Sequence, residues 1–184
     1  MKLLFRFAEP KDLPNILQLQ ALSLRVLLAP TVADEVLDNL ITQQHIEREK
    51  RDELILVALC NHDFIGFIAL RTAQSQISGL FVHPDFVRQG IGTELITAAA
   101  EIMRVKKQRK LLVMASEYAK PFYKKMGFKT LRRSYLFVKR RQKIRVFWMR
   151  KELQELTPEE QQQRLSVGVV LAIVIVVSLW AAIA

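Results

Sequence analysis

The pattern Arg-Gln-Gly-Ile-Gly-Thr at residues 88–93 has the clearest chemical meaning in this sequence. It follows an apolar run that ends at Val82 and precedes a stretch whose apolar residues have helical spacing. Gly90 and Gly92 have no Cβ, so the backbone can turn there and expose consecutive N–H groups. Such N–H groups bind anions together with the partial positive charge of a helix N-terminus. The pattern therefore predicts a pyrophosphate site, and it lacks the Lys-Ser/Thr pair of a P-loop.

With Val87 in front, the segment resembles the Gln/Arg-x-x-Gly-x-Gly/Ala loop of the GNAT superfamily of acyl-CoA-dependent N-acetyltransferases. His83-Pro84 precedes the loop here, as it often does in that family. Val87 departs from the usual Gln or Arg and removes one side-chain contact, whereas most pyrophosphate contacts in the family are backbone amides. The resemblance implies acetyl-CoA as the acyl donor. It assigns cofactor binding to Leu80, Phe81, Val82, Arg88, Gln89, Gly90, Ile91, Gly92, Thr93 and Ser116.

A second segment, Ala119–Phe128, resembles another signature of that family, a short helix with Ala-x-x-x-Tyr that closes on Gly-Phe. Gly127 is expected to end this helix, because glycine takes the left-handed conformation at the least cost. The resemblance makes Tyr123 the general acid, since a phenol with a pKa of about 10 can protonate a departing thiolate. The alternative is that Tyr123 only packs the helix on the sheet. Ser116 stands where the family often has Asn, and the resemblance places its hydroxyl near the pantetheine arm.

The sequence does not show a clear general base. Many members of that family carry a glutamate on the fourth strand, whereas this chain has Gln76, and an amide cannot accept a proton. Glu117 is the carboxylate nearest the second motif and is the candidate base. The single cysteine, Cys60, ends an apolar run and is expected to be a buried thiol. The three histidines, at positions 45, 62 and 83, do not have metal-ligand spacing, so no metal is predicted.

The rest of the chain predicts an α/β (α+β) fold with a mixed, largely antiparallel central sheet flanked by helices, as in GNAT proteins. Strands are predicted at Leu3–Ala8, Leu54–Leu59, Ile65–Leu70, Ile77–Val82, Leu111–Ala115, Lys129–Val138 and Ile144–Glu152. Asp12 and Thr31 are expected to cap the first two helices, and Asn61-His62-Asp63 predicts a hairpin. The helix after Gly92 is expected to bury Leu95, Ala98, Ala99 and Ile102. We assign residues 1–152 to one GNAT-like acetyltransferase domain.

Residues 166–184 differ in composition from the rest of the chain. These nineteen residues include no charged side chain and are mostly Val, Ile, Ala and Leu. As a helix they would extend about 28 Å, close to the thickness of the bilayer's hydrocarbon core. Trp180 lies near the far end, where a membrane interface favours aromatic rings. The segment ends the chain, so it is not expected to be a cleaved secretory signal. It predicts a C-terminal transmembrane tail helix, and a buried core helix is the alternative.

The chain is strongly basic, with 28 Lys and Arg against 18 Asp and Glu and a net charge of +10. Nine Lys and Arg and no acidic residue lie between Arg132 and Lys151, and a polar linker at 153–165 separates them from the apolar segment. Basic residues beside a membrane segment stay on the cytoplasmic side. The sequence therefore predicts a cytoplasmic catalytic domain on a single-pass anchor, near anionic lipid. The basic region lacks a recognition helix and an aromatic stacking pattern, so nucleic acid is not a favoured partner.

Together these features predict an N-acetyltransferase that transfers the acetyl group of acetyl-CoA to an amine at the cytoplasmic face of a membrane. The amine is expected to attack the thioester directly, while N–H groups of the fourth strand polarise the carbonyl. The leading alternative is a non-catalytic, membrane-tethered acyl-CoA-binding module, which Val87, Ser116 and Gln76 would suit. A membrane-associated nucleic-acid binder is the third candidate. The sequence does not identify the amine acceptor, the membrane or the oligomeric state.

Overall fold

The computed structural model describes residues 3–29, 32–50, 52–138 and 142–153. Its strands are β1 (Leu3–Phe7), β2 (Leu54–Cys60), β3 (Asp63–Arg71), β4 (Gln76–Val82), β5 (Lys110–Ser116), β6 (Lys129–Val138) and β7 (Gln142–Glu152). Its helices are α1 (Leu13–Leu28), α2 (Asp34–Lys50), α3 (Ile91–Val105) and α4 (Lys120–Lys125). Short 3₁₀ helices at Pro10–Asp12, Thr72–Gln74 and Pro84–Phe86 precede α1, β4 and α3. The order of strands and α-helices is the order predicted from the sequence.

The seven strands form one mixed sheet in the order β1-β2-β3-β4-β5-β7-β6. Among the described strands, β4 and β5 are the one parallel pair, and the other neighbours are antiparallel. The connection from β4 to β5 runs through α3, because parallel neighbours need a crossover. β5 lies inside the sheet, between β4 and β7, a position that suits its uninterrupted apolar residues 111–115. The predicted α/β fold with a largely antiparallel sheet is confirmed.

Apolar side chains cover both faces of the sheet, because neighbouring strand residues point to opposite sides. On one face, Ile68 belongs to a cluster with Leu95 and Met103 of α3. On the other face, Phe67 belongs to a cluster with Ile16 of α1. Helices α1 and α2 form a further cluster with the ends of β6 and β7. β4 and β5 therefore lie between two helical layers.

The buried face of α3 differs in part from the prediction. Leu95 and Ala99 are buried as predicted, whereas Ala98 and Ile102 are half-buried. Because the helix begins at Ile91, which is 1% exposed, the buried stripe runs through residues 91, 95, 99 and 103. The neighbouring buried positions on this helix are Ile96 and Ala100.

The turn between β2 and β3 confirms the predicted hairpin. Asn61 and His62 have φ values of 49° and 78°. A two-residue loop with both residues at positive φ follows the right-handed twist of the two strands. Asn is among the residues that adopt this conformation at low cost, which is why the sequence signal was reliable.

Asp12 occupies the N-cap position of α1, as predicted, but the capping hydrogen bond expected there is not made. Asp12 makes no side-chain hydrogen bond to the N-terminus of α1. Its carboxylate accepts instead from Arg6 Nη1 at 2.6 Å and from the Glu9 N–H at 2.8 Å. The reason is that Pro10–Asp12 already forms a helical turn, so Asp12 has helical φ and ψ and caps that turn from its inner end. Thr31, the predicted cap of α2, lies outside the described residues.

Among the described residues, no helix is both long enough and apolar enough to cross a membrane. The tail helix predicted at 166–184 lies outside the described residues, as does the predicted linker beyond residue 153. All elements from β1 to β7 fall between residues 3 and 152. The candidate site is built from the elements between residues 3 and 152.

Candidate functional site

β4 and β5 separate soon after they begin to pair. Their parallel ladder contains Gln76 opposite Leu112 and Ile77 opposite Val113. Within the described ladders, β4 pairs with β3 alone from Gly79 to Val82, while β5 pairs with β7 along its whole length. One edge of β4 is therefore open in the middle of the sheet.

The backbone groups of Leu80 and Val82 face this open edge. His83 donates its N–H to the Ile65 carbonyl of β3 at 2.8 Å. Hydrogen bonding alternates along an antiparallel strand, so Phe81 also faces β3, and the residues on either side of it face away. The N–H groups of Leu80 and Val82 are thus donors on the open edge.

Two serines fix the open segment of β4. Ser78 is an extra residue in β4 relative to β3, which makes a β-bulge, and its Oγ donates to the Ala69 carbonyl at 3.1 Å. Ser23 of α1 donates its Oγ to the Val82 carbonyl at 3.1 Å. A bulge bends a strand and disturbs its ladder locally. The open segment of β4 is therefore bent by the bulge at Ser78, and hydrogen bonds from Ser78 and Ser23 hold its two ends.

Phe81 has a different environment from its two neighbours. Its backbone faces β3, and its ring packs on Phe67 with 5.3 Å between the ring centroids. This contact lies on the side of the sheet that α1 and α2 cover. The structure thus places Leu80 and Val82 on the open edge and Phe81 behind it.

The loop after β4 presents a row of N–H groups. Arg88 and Gly90 have φ values of 67° and 89°, so the chain turns through two left-handed residues before α3 begins. The Gly90 carbonyl accepts from the Thr93 and Glu94 N–H groups and starts the helix. Within the described part of the chain, the five N–H groups from Arg88 to Gly92 have no acceptor. Donors in this arrangement at a helix N-terminus suit a phosphate group.

The side chains of this loop lie at the surface. Arg88, Gln89 and Thr93 are exposed, and Val87 is 51% exposed. Gln89 Nε2 donates to the Asp85 carbonyl at 3.2 Å, which braces the loop against the preceding turn. Arg88 brings a positive charge to the row of donors, whereas Val87 brings no polar group. Anion binding at this loop therefore depends mainly on the backbone.

The two glycines of the loop have different roles. A β-carbon on Gly92 would lie 3.3 Å from Cζ of Phe122 and 3.7 Å from Cγ2 of Val82. A β-carbon on Gly90 would meet no atom within 4 Å, but its φ of 89° favours glycine. Gly92 is thus required for packing and Gly90 for backbone conformation. The contact with Phe122 places the glycine loop beside the helix that carries Tyr123.

Tyr123 lies in the core between α4 and the sheet. The residue is 5% exposed, and its ring packs edge-on against Phe122 and Phe128 at centroid distances of 5.5 and 5.3 Å. Burial raises the pKa of the Tyr123 hydroxyl above its usual value, so the hydroxyl is protonated at neutral pH. The hydroxyl has no hydrogen-bond partner among the described residues. The chain leaves α4 through Gly127, whose φ of 85° confirms the predicted left-handed cap.

Ser116 and Glu117 stand at the end of β5. Ser116 Oγ accepts the Ala119 N–H at 3.2 Å, which stabilises the turn before α4 and leaves the hydroxyl proton available. Glu117 accepts from Arg145 at 3.3 Å, with 65% and 54% of the two side chains exposed. Glu117 is therefore a solvated carboxylate in a surface ion pair.

Other reactive side chains form no second site among the residues that the structure describes. No group of three His, Cys, Asp or Glu there could hold a metal ion. Cys60 is a free, buried thiol, which confirms the prediction for this residue. His83 accepts the Asp85 N–H at Nδ1 over 3.3 Å and belongs to the turn after β4.

The sequence did not reveal a buried polar cluster beside β4. Arg48 and Glu53 form an ion pair at 2.6 Å, with 4% and 1% of their side chains exposed. Arg48 Nε also donates to Gln20 Oε1 at 2.7 Å. A signal for this cluster exists in the sequence, because Arg48 follows Leu37 and Ile41 at helical spacing where an apolar residue is expected. It is a charged residue on the buried face of α2.

Known proteins share both the sequence pattern and the fold. The family model described as an acetyltransferase (GNAT) domain matches residues 21–153. "Uncharacterized N-acetyltransferase YafP" of Escherichia coli (strain K12) is 33% identical over 78 residues, which cover 42% of this chain and 47% of that protein. The chain thus aligns with about half the length of this curated relative.

Two solved structures have the same fold. A GCN5-related N-acetyltransferase from Rhodopseudomonas palustris has a TM-score of 0.74 and 23% identity, covering 83% of this chain and 96% of that chain. The PaiA N-acetyltransferase from Thermoplasma acidophilum, in complex with coenzyme A, has a TM-score of 0.69 and 21% identity, covering 83% and 99%. The family match includes the open edge of β4, the glycine loop and Tyr123. The chain therefore belongs to the family of acetyltransferase (GNAT) domains.

Proposed function

We propose that this chain is an N-acetyltransferase that transfers the acetyl group of acetyl-CoA to an amine. The chain is an acyltransferase by family, and acetyl-CoA is its acyl donor. One observation carries the proposal: the open edge of β4 leads directly into the row of N–H groups from Arg88 to Gly92. A relative of the same fold was solved with coenzyme A. An extended ligand arm that leads into a pyrophosphate matches this sequence of donors.

The donor is proposed to bind along β4. Its pantetheine arm would take the place of a neighbouring strand and accept from the N–H group of Val82, which leaves the Leu80 N–H for the thioester carbonyl. The pyrophosphate would accept from the N–H groups of the glycine loop, where Arg88, Gln89 and Thr93 lie at the surface. The Ser116 hydroxyl accepts the Ala119 N–H and still has its own proton to donate, so it would donate to the same arm. Phe81 would support the edge from behind.

Acetyl transfer would proceed by direct attack of the amine on the thioester carbon. The C–N bond forms, the C–S bond breaks, and the Leu80 N–H stabilises the negative charge that develops on the carbonyl oxygen. Tyr123 would give its proton to the departing sulfur and regain one from solvent. Because burial raises the pKa of this hydroxyl, Tyr123 carries its proton at neutral pH, and its transfer requires close approach to the developing thiolate. The proton lost by the amine would pass to water or to Glu117, which is solvated.

The acceptor is proposed to be an amine with an apolar body. A groove of about 490 Å³ lies between α2 and the end of β6, lined by Thr42, Gln43, Ile46, Glu47, Phe137 and Val138. Small-molecule sites commonly have volumes of about 300–1,000 Å³. Val138 packs in the same apolar cluster as Phe81, the neighbour of Leu80. Glu47 brings a carboxylate to this groove, where its Oε1 accepts from Gln43 Nε2 at 3.3 Å.

The apolar segment at 166–184 is proposed to anchor the domain to a membrane. The support comes from the sequence, since the segment has nineteen residues without charge and follows a basic region. The Lys and Arg excess between Arg132 and Lys151 would place the domain on the cytoplasmic side. Membrane lipid is accordingly the second proposed partner.

A non-catalytic acyl-CoA-binding module is the second candidate, because Glu117 is a surface ion-pair member and Gln76 cannot act as a base. Release of CoA from acetyl-CoA should be measured against a panel of peptides, polyamines and small amines. Turnover with any amine supports the transferase. Tight binding of acetyl-CoA without turnover supports the binding module. Salt-dependent binding of DNA or RNA, without affinity for acetyl-CoA, would instead favour the nucleic-acid binder.

A further inference from the structure

Arg48 is held rigidly inside the protein. Its Nη1 donates to Glu53 at 2.6 Å, and its Nε donates to Gln20 Oε1 at 2.7 Å. Its guanidinium also lies over the ring of Phe67, with Cζ at 5.1 Å from the centroid. These contacts come from α1, β3 and the residue before β2, so the guanidinium plane has one position. Such a group can act as a fixed support for its neighbours.

The guanidinium rests against the backbone of β4. A β-carbon on Gly79 would lie 2.6 Å from Arg48 Nη2 and 3.1 Å from Cε2 of Phe81. No ordinary side chain fits at that distance, so glycine at position 79 is what allows Arg48 to reach the strand. Because Arg48 is bound to Gln20 and Glu53, it cannot move away without breaking those hydrogen bonds.

Gly79 has a special place in the open segment of β4. It follows the bulge at Ser78 and precedes Leu80, whose N–H is a donor on the open edge. The Leu80 N–H belongs to the peptide bond that Gly79 begins, and that peptide is planar. In the described ladders β5 gives this segment no support, so its orientation depends on β3, on the Ser23 hydrogen bond at Val82 and on the contact of Gly79 with Arg48.

We propose that Arg48 is a positioning residue for acetyl transfer: its guanidinium presses on Gly79 and sets the direction of the Leu80 N–H toward the thioester carbonyl. The inference rests on the proposed function, because it assigns Leu80 as the carbonyl donor. Arg48 itself does not touch the substrate. Its effect should therefore appear in the strength of the hydrogen bond to the carbonyl, while the affinity for the CoA portion is retained.

The test uses the full chain with Gly79→Ala, Arg48→Lys and Arg48→Met. Arg6→Met is the matched ion-pair control, since Arg6 binds Asp12 at 2.6 Å on β1, away from β4. For each variant we would measure kcat, KM, the Kd of CoA, and the infrared stretch of an isotope-labelled thioester carbonyl in bound acetyl-CoA.

For Gly79→Ala and Arg48→Met we expect kcat to fall roughly tenfold to a hundredfold, the usual effect of a small misplacement of a reacting group. The carbonyl stretch should shift toward its value in water, and the Kd of CoA should change by less than about threefold, because the pyrophosphate loop is intact. The Gly79→Ala/Arg48→Met double variant should lose no more than the worse single variant, since both act at one contact. The Arg6→Met control should not move the carbonyl stretch.

A wild-type carbonyl stretch in folded Gly79→Ala and Arg48→Lys variants would show that Arg48 only stabilises the fold. This result would overturn the role of Arg48 and leave the proposed acetyl transfer standing. If Arg48→Met does not fold, these two variants decide, because both keep the buried charge pair. A wild-type chain that binds acetyl-CoA but acetylates no amine overturns the proposed function, and the carbonyl stretch still tests Arg48. A chain that does not bind acetyl-CoA overturns both.

Discussion

Phe122 and Gly92 join the two motifs of the site, because a β-carbon on Gly92 would lie 3.3 Å from Cζ of Phe122. Gly92 lies in the first turn of α3, and Phe122 precedes Tyr123 on α4. The distance is tighter than an ordinary van der Waals contact, so a β-carbon at position 92 would require the Phe122 ring to shift by a few tenths of an ångström. The position of the proposed acid relative to the proposed pyrophosphate site thus depends on this contact.

We expect Gly92→Ala to reduce the free energy of unfolding by about 1–3 kcal/mol, the usual cost of overpacking a tight contact. Urea unfolding measures this loss. Adding Phe122→Leu should recover much of it, because the smaller side chain makes room for the β-carbon. If Gly92→Ala weakens CoA binding without any loss of stability, the glycine is needed for the approach of the phosphates and not for packing.

Gly90→Ala should have the opposite pattern. A β-carbon there meets no atom within 4 Å, so the cost to stability should be only about 1 kcal/mol from the positive φ. The Kd of CoA should rise about tenfold or more, because the N–H groups around Gly90 are the proposed phosphate donors. Gly127→Ala is the control, since Gly127 has a similar φ of 85° on the far side of α4. Equal CoA affinity in both variants would remove the glycine loop from the site.

The sequence predicted well the features that depend on neighbouring residues. Asn61 and His62 gave the hairpin because their turn conformation is local. Gly90 gave the helix start, and Gly127 gave the left-handed cap, for the same reason. The prediction failed for Asp12, where Arg6 and the Glu9 N–H compete for the carboxylate. A cap motif shows which group needs a hydrogen bond, but not which donor is nearest in the fold.

Features that depend on distant contacts were not predicted. β4 and β5 separate because only two residue pairs join them in the described ladder. No short sequence motif encodes how many residues of two strands pair. Arg48 lies 31 positions before Gly79 in the chain, yet its guanidinium meets that residue. Glu117 was chosen for its place beside the second motif, and only the fold shows its ion pair with Arg145. Residues of several strands form this site together, so predicting which of them meet requires knowing how the strands of the sheet pair.

Asp12 should make the fold less stable in acid. The Arg6 hydrogen bond, together with the Glu9 N–H, holds the pKa of the Asp12 carboxyl below its usual value of about 4. A lowered pKa in the folded state adds stability above the ordinary pKa, and this stability is lost as the pH falls through the folded pKa. Asp12→Asn should therefore lower the melting temperature at neutral pH, and the difference from wild type should shrink in acid.

Asp38→Asn is the control for this measurement. Asp38 accepts from Arg25 at 2.7 Å, but 58% and 54% of the two side chains are exposed. Exposed pairs contribute only about 0–1 kcal/mol, so this variant should change little at any pH. A difference between Asp12→Asn and wild type that stays constant into strong acid would mean that the Asp12 charge does not contribute.

Deleting residues 166–184 should release the protein from membranes. The full chain should stay with the bilayer after an alkaline carbonate wash, whereas the shortened chain should remain in solution and bind acetyl-CoA with unchanged affinity. The reason is that, among the residues of known placement, the buried apolar core lies between residues 16 and 153, outside the deleted segment. Release of the full chain by carbonate, or unfolding of the shortened chain, would rule out a membrane anchor at 166–184.

Tyr123→Phe should lower kcat by about two orders of magnitude, within the usual range for loss of a general acid. The ring is retained, so the packing on Phe122 and Phe128 and the Kd of CoA should change little. Tyr118→Phe is the matched control, because Tyr118 is 73% exposed in the turn before α4. Its turnover should equal that of the wild type.

The pH dependence of turnover gives a second test of Tyr123. The acid must carry its proton, and burial raises the pKa of the Tyr123 hydroxyl, so the proton is lost only well above the ordinary tyrosine pKa of about 10. Loss of the Tyr123 proton should therefore not lower the wild-type rate near pH 10. Any decline near that pH should be present in Tyr123→Phe as well. A decline there that disappears in Tyr123→Phe would mean that the hydroxyl titrates as if it were in water. Equal turnover in the two proteins would leave Tyr123 as a packing residue of α4, with solvent as the source of the thiol proton.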